Sequence, residues 1–166
     1  MDFGCGPGRT LIHFRDAASS SRFYGTDIDS EAITWCQQNL TQVAQWRTNK
    51  AEPPTEYDDD SFDLIYAISV FTHLDEPLQL AWLAELKRIL KPGGLLIGTV
   101  HGSFYSHDNF SPEQKACMDE KGFLYTVGSR GTLKLDGLPD FYQTAFHTKA
   151  YIFHEWSKFF RIVKYV

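Results

Sequence analysis

Three glycines in five positions, Gly4-Cys5-Gly6-Pro7-Gly8, and an acid 23 residues after the first of them, Asp27, are the residues best suited to chemistry in this chain. Glycine has no Cβ, so such a turn can take positive φ and let a ligand lie against bare backbone. The stretch Arg9 to Asp16 reads as a helix whose unsatisfied N–H groups point at the same spot. An acid at the end of the following strand can accept both hydroxyls of a ribose, at a separation of about 20 residues. On the glycine motif alone, a turn or helix-capping aspartate reads equally well. Strand, turn, helix, strand and acid in that order favour a nucleoside. Three histidines, His73, His101 and His147, are the candidates for proton transfer, because imidazole titrates near neutral pH. For each, a structural or surface histidine is the favoured reading. No pair of them has metal-ligand spacing beside acids, so no metal is expected.

These residues need elements to position them. The apolar run Met1 to Phe3 reads as a strand end that feeds the glycine turn. Arg22 to Thr26 reads as a second strand, ending at Asp27. Asp29 or Ser30 suits the cap of a helix in which Ile33, Cys36 and Leu40 share one face. Val43 to Thr48 reads as a weak strand, and Ala51 to Asp60 as loop. The nearly continuous run Leu64 to Val70 reads as a strand buried on both faces of a parallel sheet. Pro77 suits the first turn of a helix that carries Trp82, Leu83, Leu86, Ile89 and Leu90 inward, with Glu85, Lys87 and Arg88 outward. Lys91-Pro92-Gly93-Gly94 should stop that helix before a strand from Leu95 to Val100. Strand and helix alternating at this rhythm predict a parallel sheet with helices on both faces, and ligands beyond the carboxyl ends of its strands. After His101 the periodicity ends. Pro112 to Lys121 reads as a short helix, and Gly122 to Phe146, with Phe123, Tyr125, Phe141, Tyr142 and Phe146, as a pocket cover or small hairpin. Thr148 could cap a last helix to about Lys158, and Phe159 to Val166 reads as a strand.

The bulk properties narrow the class. The chain has 166 residues, a net charge of -5, 43% hydrophobic and 15% aromatic residues. That is the length of one domain with a real core. The acidic balance argues against a nucleic-acid partner. No apolar run reaches the roughly 18 residues of a membrane span, so no membrane partner is expected. Cys5, Cys36 and Cys117 are too few and too scattered for a disulfide framework, which fits reduced thiols in the cytoplasm.

The order Gly4-Cys5-Gly6-Pro7-Gly8 resembles the first motif of the class I S-adenosylmethionine-dependent methyltransferases, rather than the G-x-G-x-x-G of dinucleotide binders. Gly25-Thr26-Asp27-Ile28-Asp29 resembles their second motif. Asp60-Ser61-Phe62-Asp63-Leu64-Ile65 is similar to their fourth-strand motif, and Leu90-Lys91-Pro92-Gly93-Gly94 to the turn before their fifth strand. These cover about residues 1–101 in family order. The resemblance implies an α/β fold, a three-layer Rossmann-like sandwich with a mostly parallel central sheet, and S-adenosyl-L-methionine as cofactor. It implies that Asp2 and the backbone at Gly4, Cys5 and Gly6 hold the amino-acid end of the cofactor. Asp27 takes the ribose hydroxyls, Ile28 packs on the adenine, and Ser69 and Val70 flank the methionine portion. The family often has an aspartate after the third strand; Asn49 stands there instead.

The expected organisation is one methyltransferase domain over 1–166: a cofactor-binding half at 1–101, a variable acceptor or lid segment at 102–147, and a last helix and strand at 148–166. The expected activity is methyl transfer to a small-molecule acceptor. The alternatives are a non-catalytic binding module of the same fold and a nicotinamide-dependent oxidoreductase. The domain reads as shortened at both ends relative to the family, which predicts an exposed sheet edge and a tendency to homo-oligomerise.

Overall fold

Five short β-rich runs pair into one parallel sheet. In the computed structural model, which describes residues 1–102, 110–126 and 143–166, the strands are β1 (Asp2–Phe3), β2 (Tyr24–Asp27), β3 (Gln45–Thr48), β4 (Phe62–Ala67) and β5 (Leu90–Gly98). Their order is β3-β2-β1-β4-β5, and every pairing is parallel. The direction of strand addition reverses at β1, and ligands of such sheets sit at that reversal, outside the carboxyl ends. The glycine turn leaves β1 at that end.

The chain divides into two compact units. The first comprises Met1–Val70 with Arg88–Gly98, and the second Phe71–Lys87 with Thr99–Val166. In the first unit, helix α1 (Ser30–Asn39) begins because the Asp29 carboxylate accepts the N–H groups of Glu31 and Ala32, each at 3.0 Å. Its Ile33 and Cys36 are buried with Cys5, Leu11, Leu40, Val43 and Trp46 in one cluster. Full burial of a side chain such as Ile33 stabilises by about 2 kcal/mol. The Trp46 indole N–H donates to the Leu40 carbonyl at 3.0 Å, so its polar end is satisfied inside that cluster.

Several expectations in this unit are corrected. The segment after the glycine turn is a 3₁₀ helix, Leu11–Ser19, not an α-helix. No side chain caps it at Thr10, and only Leu11 is buried; Ile12 and Phe14 stand in solvent. β4 and β5 are not buried on both faces. Ile65 and Ala67 are fully buried, but Leu64, Ile68, Leu95 and Ile97 are 42–48% exposed. Leu64 pairs with Leu95, and Tyr66 with Ile97, so the alternation of the pleat places these apolar side chains together on one face. Lys91 to Gly94 is a bulge inside β5: it stands opposite Asp63 alone, between the pairs Phe62–Leu90 and Leu64–Leu95.

The second unit contains most of helix α2 (Glu76–Ile89), then α3 (Pro112–Lys121), β6 (Phe123–Thr126), β7 (Thr144–His147) and α4 (Lys149–Glu155). α2 begins at Asp75, whose side chain accepts the Leu78 N–H at 3.0 Å. Glu85, expected outward, is buried: it lies three residues after Trp82 and four before Ile89, on the same stripe. α3 carries a reciprocal capping box between Ser111 and Gln114 and ends at Gly122 with φ 69°. β6 and β7 are antiparallel, which realises the small hairpin; the residues joining them, with Phe141 and Tyr142, lie outside the described residues. Thr148 caps α4 through the Tyr151 N–H at 3.1 Å, and a 3₁₀ turn, Trp156–Lys158, follows. Phe159 to Val166 is not a strand. Its residues favour β structure, but a strand exists only when paired, and no described strand pairs with it.

Candidate functional site

Asp27 closes β2, and its carboxylate is already aimed. One oxygen accepts the Gly6 N–H at 2.7 Å and the other the Asp29 N–H at 2.9 Å. Each carboxylate oxygen has about two lone-pair sites, so one remains on each. Two parallel acceptors on one plane match the two donors of a vicinal diol.

The glycine turn is held by its own hydrogen bonds. The Gly4 and Cys5 N–H groups both donate to the Thr26 carbonyl, at 2.8 and 3.1 Å, and the Gly8 N–H donates to Cys5 at 3.0 Å. With the Gly6 N–H on Asp27, the turn therefore offers shape to a ligand more than spare donors. The glycines serve different purposes. A Cβ on Gly4 would lie 2.3 Å from Cγ2 of Val70, so Gly4 is bare to admit Val70 after β4. Gly6, with φ 49°, has nothing within 4 Å of that position. Gly6 is the place in the turn where a ligand can lie against the backbone.

Asp2 sits beneath the turn, 3% exposed, in register with Gly25 on one side and Tyr66 on the other. Burial raises its carboxyl to about 6, the Tyr66 hydroxyl opposing and Asp27 adding to the rise. Such a carboxyl favours a cation beside it, because the cation restores the charged form. Cys5 contributes backbone only; its buried thiol is pushed far up and rests near the Gly6 carbonyl, at 3.5 Å. Ile28 is half-buried beside Asp27. Asn49 is engaged within the protein: its Oδ1 accepts from the Thr26 hydroxyl at 2.9 Å, and its Nδ2 donates to Lys50 at 2.7 Å. Ser69 takes φ 58°, unusual for a residue with a side chain, and that turn brings Val70 over Gly4. All nine expected cofactor residues thus belong to the first unit.

Thr26 was not singled out by sequence reasoning. It is 1% exposed, and it ties β1, the glycine turn and Asn49 together. Its only signal was its place between Gly25 and Asp27.

The three histidines all belong to the second unit and divide sharply. His147 is fully buried, with Nε2 at 2.9 Å from Gln79 Oε1. Gln79 donates both N–H groups of its amide, to the carbonyls of Phe71 at 2.9 Å and Leu74 at 2.8 Å, so its oxygen must accept. His147 therefore carries its proton on Nε2, and its Nδ1 is buried without a partner. Burial, with the charge of His101 adding, lowers it to about 3. Phe123, Tyr151 and Trp156 surround the ring. His147 is a structural residue. His73 and His101 are half-buried and sit edge to face, their rings 6.4 Å apart. His101 also lies against Phe146, and Phe146 against Phe110.

Among the described residues, no helix is long and apolar enough to cross a membrane, and no group of three or more His, Cys, Asp or Glu could hold a metal ion. A family model described as a methyltransferase domain matches residues 1–98. A probable methyltransferase of Aspergillus luteorubrus is 29% identical over 125 residues, 63% of this chain and 41% of that protein. A malonyl-[acyl-carrier protein] O-methyltransferase of Hahella chejuensis is 30% identical over 98 residues, 58% of this chain and 34% of that protein. The chain thus spans less than half the length of these curated relatives. Among solved structures, a geranyl diphosphate C-methyltransferase of Streptomyces coelicolor superposes with a TM-score of 0.61 at 13% identity, over 95% of this chain and 50% of that one. A SAM-dependent methyltransferase of Aquifex aeolicus gives 0.54 at 20% identity, over 75% and 71%. At these identities the two structures speak for the fold.

Proposed function

The chain belongs to the class I S-adenosylmethionine-dependent methyltransferase family, and from that premise we propose that its first unit binds S-adenosylmethionine for methyl transfer to a small-molecule acceptor. The observation that carries the reading is Asp27: a carboxylate oriented by two backbone N–H groups, beside the one glycine of the turn with open space over it. Asp27 binds the ribose hydroxyls. Gly6 lets the cofactor approach the backbone, with Gly4 and Cys5 shaping the turn beneath it. Asp2 pairs with the ammonium of the amino-acid end. Ile28 packs on the adenine, Asn49 borders it through the lone pair left on Oδ1, and Ser69 and Val70 flank the methionine portion. Bound there, the cofactor supplies a methyl group already activated by its sulfonium. The protein's part is to hold an acceptor in line with that methyl and to exclude water.

The named relatives act on a carbon in one case and an oxygen in another, so the acceptor atom varies across the fold. A small acceptor suits an acidic chain. The three unpaired cysteines suit the reducing cytoplasm. Calorimetry with S-adenosylhomocysteine tests the cofactor claim. The expected result is one site, weakened by a factor of about 100 or more in Asp27→Ala, since two hydrogen bonds to a charged acceptor are lost. Absence of binding by the wild-type chain, or unchanged affinity in Asp27→Ala, would refute it.

A further inference from the structure

On the methyltransferase reading above, we propose that the Thr26 hydroxyl is the positioning group for the Asn49 side-chain amide, and that the amide so held makes the site specific for a purine carrying an amino group. One end of that amide lies 2.7 Å from the Lys50 carbonyl, and the other 2.9 Å from the Thr26 hydroxyl. A carbonyl can only accept, so the end that meets Lys50 is the nitrogen. The end that meets Thr26 is then the oxygen, and the hydroxyl donates to it. The Lys50 carbonyl thus decides which end is the oxygen, and the Thr26 hydroxyl decides where that oxygen stands. One lone pair of Oδ1 and one N–H of Nδ2 are left over. An acceptor and a donor on one amide match the edge of an adenine, whose amino group donates and whose neighbouring ring nitrogen accepts. An aspartate in the same place would offer acceptors alone.

Thr26 is a rigid anchor. It lies inside β2, 1% exposed, and its β-branched side chain has little freedom to turn. Its carbonyl accepts the Gly4 and Cys5 N–H groups at 2.8 and 3.1 Å. The side chain and main chain of one buried residue therefore hold both the amide of Asn49 and the glycine turn. Asn49 is tied by its main chain as well: its N–H donates to the Asp27 carbonyl at 3.0 Å, just past the pair Asp27–Thr48 that ends β2 and β3. The amide stands one strand away from the acid assigned to the ribose, at the carboxyl ends of the strands, where sheets of this kind bind ligands. Thr26, Asp27, Asn49 and Lys50 all belong to the first unit.

The hydroxyl and the carbonyl of Thr26 have separable tasks. Thr26→Val removes the hydroxyl and keeps the carbonyl, so the glycine turn keeps both of its bonds. Oδ1 of Asn49 then faces a methyl group, and the half-buried side chain turns toward water for a partner. The cofactor site loses its discrimination between bases before it loses its shape.

Calorimetry with two probes tests this: S-adenosylhomocysteine, and S-inosylhomocysteine, which carries a carbonyl in place of the purine amino group. The wild-type chain should bind the adenine form more tightly by a factor of about 100, because the inosine form sets a carbonyl oxygen against Oδ1 and leaves both without a donor. In Thr26→Val the factor should fall to about 10 or less. Thr26→Ser keeps the hydroxyl and should keep the wild-type factor. Asn49→Ala should lose the discrimination as Thr26→Val does, and it supplies the same test if the valine variant does not fold. A merely structural role for Thr26 would weaken both probes alike and leave the factor unmoved. A wild-type factor near one, an unchanged factor in Thr26→Val or Asn49→Ala, or an equal loss in Thr26→Ser and Thr26→Val overturns the proposal. A wild-type chain that binds neither probe refutes the cofactor reading instead.

Discussion

Asp2 and Gly4 show how single residues of the first unit can be tested. The Asp2 carboxyl, raised to about 6 by burial, must be ionised to pair with an ammonium. Its folded value lies above the ordinary carboxyl value, so ligand affinity is full above pH 6 and falls as pH drops through it. At pH 5 only about one Asp2 in ten is ionised, so S-adenosylhomocysteine should bind about tenfold more weakly than at pH 7.5. Calorimetry at the two values checks this, and Asp2→Asn should bind weakly at both. Gly4→Ala sets a Cβ 2.3 Å from Val70 at φ 79°, combining a clash with a left-handed backbone. It should cost about 2–4 kcal/mol in urea unfolding. In Gly4→Ala/Val70→Ala the clash is gone, so the double variant should be milder than the sum of its parts by about 1 kcal/mol or more. A strictly additive cycle would mean that Val70 is not what keeps residue 4 bare.

At the scale of elements, Gln79 is the connection with most at stake. It stands on α2, yet its side chain satisfies the Phe71 and Leu74 carbonyls and the His147 ring. Gln79→Leu would leave two buried acceptors and one buried donor without partners, at a cost of about 3 kcal/mol or more. Chemical denaturation should show that loss, and the ¹⁵N signal of His147 should change tautomer or broaden. Ser111→Ala, which removes only the α3 cap, should cost about 1 kcal/mol. Gln79 was invisible from sequence because a polar residue on an amphipathic helix normally faces water. Asp29 and Thr148 were legible because capping is a local interaction, whereas the Ser111–Gln114 capping box of α3 was not singled out from the sequence.

For the whole chain, the feature with a measurable consequence is the row of Leu64, Ile68, Leu95 and Ile97, all more than 40% exposed on β4 and β5 and the turn after β4. Apolar surface gathered on one side of an edge strand drives association in water. Replacing Leu95 and Ile97 by Thr keeps a β-branched or β-tolerant side chain and removes the apolar surface. Sedimentation velocity should show less self-association in Leu95→Thr/Ile97→Thr than in the wild type. Equal distributions would show that the row does not associate.

The sequence by itself determined the parallel α/β plan and the family. Those rest on local spacing: a glycine turn after a strand, an acid at the next strand's end, a proline-glycine break before another. Tertiary structure alone decided the rest. It left Phe159 to Val166 irregular, with no strand among the described residues paired to it, and made the first helix a 3₁₀ segment without a side-chain cap. It bared one face of β4 and β5, which a run of apolar residues does not reveal. It also sorted the histidines. The residue type is the same at 73, 101 and 147, but which nitrogen keeps the proton depends on the carbonyl or amide that each ring meets, from residues up to 70 positions away.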